Sequence, residues 1–357
     1  MSRLGLTLTL GCCLVVPAAP SIGRASQPPD EPEVVPAEAL PPPRVAPDAA
    51  TPPRASSSNR DLGGPMDGGG APGYAAAWYP SRSVGGQPTD LEFVRQSLNV
   101  GVPVLRNDRD MLLARLGVRN TLFDTGARLP DSGRPFPEQL WDLNVGLNYM
   151  RRFENGWSGM LMMGIGSASD VPFHSIREIT GTLGAMVKIP AANDRDSWQV
   201  GAMYLVGGPV NFPLPILSYS WNPTDRLKVN IGLPLSIVWR PTDEWTLNVS
   251  YVPLYNINAR FTRRIAPQLQ LFGAYEYLNE SYLLAERADI RDRFFVFEQR
   301  LVAGVRWDVG SNGTIEVNGG HSFGRVYGEG QSQWSSLKDR IEVEPGPFLG
   351  AQFRLRF

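Results

Sequence analysis

Gly320-His321-Ser322-Phe323-Gly324 fits the Gly-x-Ser-x-Gly spacing with which serine hydrolases raise a nucleophile on a tight turn. That chemistry needs a strand running into a helix, a base within reach of the hydroxyl, and a third group to orient the base. Here 314–320 reads as a strand and leads into a glycine-rich stretch, 324–330, that reads as an outer loop. A histidine adjacent to the serine rarely reaches its neighbour's hydroxyl, which leaves His174, the other of two histidines, as the candidate base. We therefore expect no catalytic residue. Metal chemistry has as little to work with. Cys12 and Cys13 are the only cysteines, no histidine pair stands at helical spacing, and no transition-metal ligand set can be assembled. Asp170, Glu280, Glu286 and Asp289 fall in expected outer loops, where they could hold calcium or bridge phosphates through ions. No phosphate-cradling loop, dinucleotide fingerprint or basic tail is present, so neither cofactor nor nucleic acid is expected.

A second constellation is larger. Arg95, Arg115, Arg119, Arg152, Lys188, Lys228, Arg260, Arg264, Arg300, Arg306, Arg354 and Arg356 each alternate with apolar residues of their own segment. So do Glu92, Asp142, Glu276, Glu298, Asp308 and Glu316. Period-2 alternation puts these charges on one face of a strand and the apolar residues on the other. Basic groups outnumber acidic ones about two to one on this face although the chain is formally −1. A water-filled lumen lined in this way would concentrate anions. The same groups could instead pair across the lumen and stiffen the wall without leaving a passage.

The segments that carry them are strands of membrane-spanning length. Trp141, Leu143, Val145, Leu147 and Tyr149 alternate with Asp142, Asn144, Gly146 and Asn148; Trp245, Leu247, Val249 and Tyr251 alternate with Thr246, Asn248 and Ser250. Tryptophan or tyrosine marks the ends of the apolar faces, where an interfacial girdle belongs. Short polar breaks alternate with longer ones at about 127–139, 170–177, 279–293 and 324–345, the polarity of barrels with short inner turns and long outer loops. The fold expected is all-β: a closed antiparallel transmembrane β-barrel of about fourteen strands, within a range of twelve to sixteen. One region resists counting. From Leu227 to Trp239 every odd residue is apolar, as in one strand, yet Gly232-Leu233-Pro234 sits in its middle and Pro-Thr-Asp turns flank both ends.

The chain divides into three parts. Residues 1–25 read as a signal peptide, with Arg3 ahead of an apolar run and small residues before a cleavage point near Ala25. Residues 26–73, rich in Pro, Ala, Ser and Gly, cannot bury enough surface to offset their ordering entropy and read as a disordered tether. Residues 74–357 are the barrel.

The last strand, Leu349, Ala351, Phe353, Leu355 and Phe357 against Gly350, Gln352, Arg354 and Arg356, resembles the C-terminal assembly signal of bacterial outer-membrane proteins. Segments such as 157–170, with Gly-Ser-Ala-Ser-Asp, and Ile231-Gly-Leu-Pro followed by Val238-Trp-Arg-Pro are similar to an uncharacterised outer-membrane barrel domain family. The resemblance implies a bacterial outer-membrane location and lipid and lipopolysaccharide as surroundings. It also implies recognition by the barrel-assembly machinery through Phe353, Leu355 and Phe357. The function expected is a porin-like passive channel for small solutes with a weak anion preference. Arg95, Arg115, Arg119, Arg152, Lys188, Arg260, Arg300, Arg306, Arg354, Arg356, Glu298 and Asp308 would line it. The alternative is a plugged structural or surface-binding barrel. The oligomeric state is left open.

Overall fold

Leu143, Val145 and Leu147 point one way and Asp142, Asn144 and Asn148 the other, and this alternation, repeated strand after strand, closes one sheet on itself. The computed structural model describes residues 72–355 except 194, 209–211, 253–255 and 335. The predicted signal peptide, all but the last two residues of the predicted tether, and the predicted site residues Arg356 and Phe357 lie outside the described residues.

The strands are β1 (Gly73–Ser83), β2 (Asp90–Arg106), β3 (Asp110–Thr125), β4 (Gln139–Arg152), β5 (Ser158–Ser169), β6 (Ile179–Pro190), β7 (Ser197–Val206) and β8 (Leu214–Thr224). They continue with β9 (Leu227–Leu233), β10 (Leu235–Trp239), β11 (Trp245–Val252), β12 (Asn256–Ala266) and β13 (Leu269–Tyr282). The last are β14 (Arg293–Val309), β15 (Gly313–Gly330), β16 (Lys338–Val343) and β17 (Gly346–Leu355). Each pairs antiparallel with its neighbours, and β17 pairs with both β15 and β1, which closes the ring. The sheet has seventeen strands, but β16 pairs with the upper part of β15 and otherwise only through a single bridge from Val343 to Val84, so sixteen form the wall. That is the top of the expected range.

Short turns gather at one end, called lower here, and the connections 126–138, 170–178, 283–292 and 331–345 at the other. Trp198, Trp221, Trp239 and Trp307 stand exposed on the outer face towards the lower end, as an aromatic girdle requires. Between the two ends the outer face is a belt of exposed Leu, Val, Ile and Met side chains, among them Val145, Met163, Leu183, Val200, Leu217 and Leu301. A closed sheet with an apolar exterior and a charged interior is built to sit in hydrocarbon.

The wall is not level. β2, β14 and β15 run for 17, 17 and 18 residues, whereas β9, β10 and β11 run for 7, 5 and 8. The segment 227–239 is two strands that part at Pro234, with Gly232 and Leu233 closing the first at the hairpin tip. Asn230 pairs with Ser236 and Leu227 with Trp239, so odd residues face odd residues across the hairpin. A turn of odd length preserves the phase, which is why the sequence reads as a single strand. Gly232 has φ 132°, and a Cβ there would lie 2.1 Å from the Leu217 carbonyl oxygen, so only glycine fits this turn.

Two expected loops are also strand. Residues 279–282 extend β13, and 324–330 extend β15. Gly324, with φ 58°, carries a bulge that inserts one residue into β15 opposite β14. Below it the even residues Thr314, Glu316 and Ser322 are buried; above it the odd residues Arg325, Tyr327 and Glu329 are. The glycines that suggested a loop serve this change of phase. Glu92 is a further correction. It shares the outer face with Val94 and Leu98 and accepts a hydrogen bond of 2.9 Å from the Trp78 indole, so it does not face the lumen.

Candidate functional site

Inside the tall half, the lumen near the upper end is filled with apolar side chains. Tyr79 stacks on Phe93 at 4.0 Å and on Phe348 at 5.3 Å. Phe136, from the connection 126–138, meets Phe123 at 5.1 Å, Tyr327 at 5.3 Å and Phe294 at 5.7 Å. Leu91, Val296, Leu284, Ile341 and Val343 belong to the same buried cluster. The sequence carried a signal for it: Phe294-Phe295-Val296-Phe297 is apolar on both faces, which a strand lining water would not be.

Below the cluster, charged groups join strands across the lumen as well as neighbours along the wall. Arg119 on β3 reaches Glu280 on β13 at 2.6 Å and Asp142 on β4 at 3.8 Å. Arg95 on β2 reaches Glu298 on β14 at 3.2 Å and Glu280 at 3.6 Å. Glu298 also accepts from the Ser322 hydroxyl at 2.8 Å, and Arg300 bridges Glu276 and the Tyr79 hydroxyl. Burial of this kind is tolerated only because each charge meets an opposite one. Glu280, expected in an outer loop as a calcium ligand, is instead a central member of this bridge. Ser322 is fully buried in it, while His321 stands exposed on the outer face. The Gly-x-Ser-x-Gly match is therefore a stretch of wall whose serine is held by a glutamate.

Beside and below the bridge a cavity of about 550 Å³ runs through the lumen. Its lining extends from Gly73 and Arg354 at the lower ends of β1 and β17 to Gly207 above β7 and Ser281 near the top of β13. Arg95, Arg115, Arg119, Arg293, Arg300 and Arg354 line it, against the carboxylates Asp142 and Glu280. Of the predicted lining residues, Arg95, Arg119, Arg300 and Glu298 thus form the bridge, and Arg115 and Arg354 border the cavity. Arg260 is held by Glu316 at 2.7 Å and lies over the Phe272 ring at 3.6 Å. Asp308 accepts from the Thr314 hydroxyl at 3.1 Å beside a buried Arg306. Arg152 and Lys188 are exposed near the lower ends of β4 and β6, in phase with the lumen face. Phe353 and Leu355 of the predicted assembly signal alternate with Gln352 and Arg354, and Phe353 is exposed on the outer face.

The upper connections are tied to one another across the mouth. The Leu283 N–H donates to the Ala168 carbonyl at 2.7 Å and the Ala285 N–H to the Asp170 carboxylate at 2.8 Å. These bonds join β13 to β5, half-way round the ring. Arg287 meets Glu178 at 3.4 Å with both side chains buried, and donates to the Arg177 carbonyl at 3.0 Å. Glu178 closes a capping box with Ser175 on a single 3₁₀ turn. Burial pushes the Glu178 carboxyl up, but its hydrogen bonds from Ser175 and the Arg287 guanidinium outweigh this and hold it below its ordinary value of 4.5. On the other side of the mouth, Arg134 reaches Glu329 at 2.5 Å and Asp339 at 3.5 Å. Asp339 accepts from the Asp131 and Ser132 N–H groups at 2.8 Å each. Burial again raises its pKa; those N–H bonds and Arg134 bring it below 3.8. The sequence offered no route to these ties, which join loops far apart along the chain.

The family model described as Domain of unknown function (DUF6268) matches residues 130–356, more than half of the chain. The chain belongs to that family. No curated protein matches it. Among solved structures, the chain is similar to the COG4313 outer membrane channel from Pseudomonas putida F1, at 8% identity over 81% of this chain and 96% of that one, with a TM-score of 0.35. It is likewise similar to OccK7 (OpdD) of Pseudomonas aeruginosa, at 13% identity over 81% and 100%, with a TM-score of 0.35. A third is the β domain of the Bordetella autotransporter BrkA, at 13% identity over 81% and 100%, with a TM-score of 0.31. The DUF6268 barrel described here has the apolar belt and aromatic girdle of a membrane-spanning barrel, and nothing about substrate passes to it from these structures.

Proposed function

We propose that this DUF6268 protein is a passive channel of the bacterial outer membrane that admits small solutes and prefers anions. Delivery by a cleaved N-terminal leader and insertion by the barrel-assembly machinery belong to the same reading, as do surrounding lipid and lipopolysaccharide. The observation that carries it is the lumen cavity of about 550 Å³, whose lining includes six arginines and two carboxylates. Counted together with the bridge carboxylates Glu276 and Glu298, the six arginines still outnumber the acidic groups, and a surplus of guanidinium charge behind low-dielectric walls attracts anions. The protein is read as having no catalytic role, because Ser322 hydrogen-bonds to Glu298 and its neighbouring histidine lies on the other face.

Planar bilayers test the channel. The purified chain should give a steady conductance, with a reversal potential displaced towards that of chloride in a potassium chloride gradient. Glu280→Gln removes one of the two lining carboxylates and should increase the displacement; Arg115→Ser should reduce it. A silent bilayer, or preference for potassium, would overturn the reading. The second reading, a sealed surface barrel, is favoured by the apolar cluster and the tied connections at the upper mouth. It is the outcome that a silent bilayer would select.

A further inference from the structure

The β9–β10 hairpin is too short to cross the apolar layer. Its seven-residue arm, rising about 3.3 Å per residue and tilted about 40°, climbs about 18 Å, against an apolar band about 25 Å tall. The turn Gly232-Leu233-Pro234 therefore lies inside the hydrocarbon zone. Irregular backbone at that depth is tolerated where it is buried in protein or borders a water-filled cavity. The lumen face behind it meets the second condition: Asn230 Oδ1, Asn248 Oδ1 and Ser250 Oγ are buried there without a protein partner and call for water, and the cavity lining comes within one strand of the hairpin's neighbours on each side, at Leu205 and Gly207 by β7 and at Asn256 on β12. The outer rim is apolar, with Leu217, Ile231, Leu233 and Tyr251 exposed by 41–56%. Just inside it the lumen face turns polar, with Asn230 donating to Ser236 at 2.7 Å. On the opposite side the upward path is closed by the apolar cluster and the tied connections.

We propose that this low stretch of wall is a lateral window through which small amphipathic anions pass between the surrounding leaflet and the arginine-lined lumen. The apolar body of such a solute partitions into lipid against Ile231 and Leu233, while its carboxylate or sulfonate moves towards Arg115 and Arg119. The inference rests on the channel reading and narrows its solute.

The test uses the whole chain in liposomes and planar bilayers, with decanoate, acetate and chloride as probes. A variant with two strand residues added to each arm at Leu233–Pro234 raises the hairpin by about 5 Å, to about 23 Å. It should slow decanoate entry about tenfold while leaving chloride current and acetate entry unchanged. Unchanged decanoate entry alongside retained chloride current overturns the window and leaves the pore standing. Hairpin-dependent decanoate entry without chloride current does the reverse. If the lengthened hairpin fails to fold, Ser236→Cys in a C12S/C13S background decides. A lipid-partitioning maleimide should modify it about tenfold faster than it modifies Ser97→Cys, on the lumen face of the tall half. Equal rates overturn the window.

Discussion

The two halves of this ring obey the same alternation and use it differently. From β13 to β15 and from β2 to β4 the strands are long, and their inward residues near the upper end are aromatic or charged and cross-braced. From β9 to β11 the strands are short and their inward residues are small amides and hydroxyls beside Lys228 and Val238. Asn230 Oδ1, Asn248 Oδ1 and Ser250 Oγ have no protein partner there. The difference teaches that closure of the sheet and filling of the lumen are separate problems. Register closes the ring, while rigidity comes from what strands far apart on the ring do to each other across the middle.

The largest expected effect follows from the apolar cluster. Phe294→Ala removes a fully buried ring that meets Phe136 and Tyr327, and should cost about 3–5 kcal/mol in urea unfolding of the folded barrel. Ser250→Ala in the short half should change stability by less than about 0.5 kcal/mol. Equal losses at the two positions would erase the contrast between the halves.

Next in size is the tie across the mouth. Arg287→Ala leaves the Glu178 carboxylate buried without its guanidinium and should destabilise the docked connection by about 3 kcal/mol. Limited proteolysis should then cut within 283–292, and the single-channel conductance should rise. Arg291→Ala removes an arginine whose side chain is 72% exposed, so it should change neither, since exposed pairs contribute little. Identical behaviour of the two variants would mean that the connections do not seal the mouth.

Much of this was legible along the chain, and the remainder fails for one reason. Which face each strand turns inward could be read at Arg95, Arg119, Arg300 and Glu298, because alternation is local. The exceptions are places where local phase misleads. The odd-length turn at Gly232 and Pro234 keeps the phase and hides a hairpin, and the bulge at Gly324 reverses it and hides the inward facing of Arg325, Tyr327 and Glu329 in β15. Glu92 obeys the parity of its own outer-facing neighbours and was misassigned by its charge alone. The position of Glu280 in the bridge, and the ties of Arg134 and Arg287, depend on strands and loops that meet only after closure. No window of sequence contains both partners.

The smallest expected effect is acid sensitivity of the mouth. Glu178 and Asp339, in the upper connections, are held below their ordinary values of 4.5 and 3.8. In each case burial acts against the charged form, but hydrogen bonds and a neighbouring arginine more than offset it. A carboxylate with a depressed pKa stabilises the docked state in full above its undocked value, and that stabilisation is lost as pH falls through the lower, docked value. Docking of 170–178, 283–292 and 331–345 should therefore be constant from neutrality to about pH 5 and weaken below about pH 4. The readouts are pepsin cutting within those connections and a reversible rise in conductance between pH 4 and 3. Asp339→Asn should show part of the rise already at neutral pH. A conductance that rises with alkali, or stays flat to pH 3, would separate the ion pairs from the seal and leave the apolar cluster alone to close the tall half.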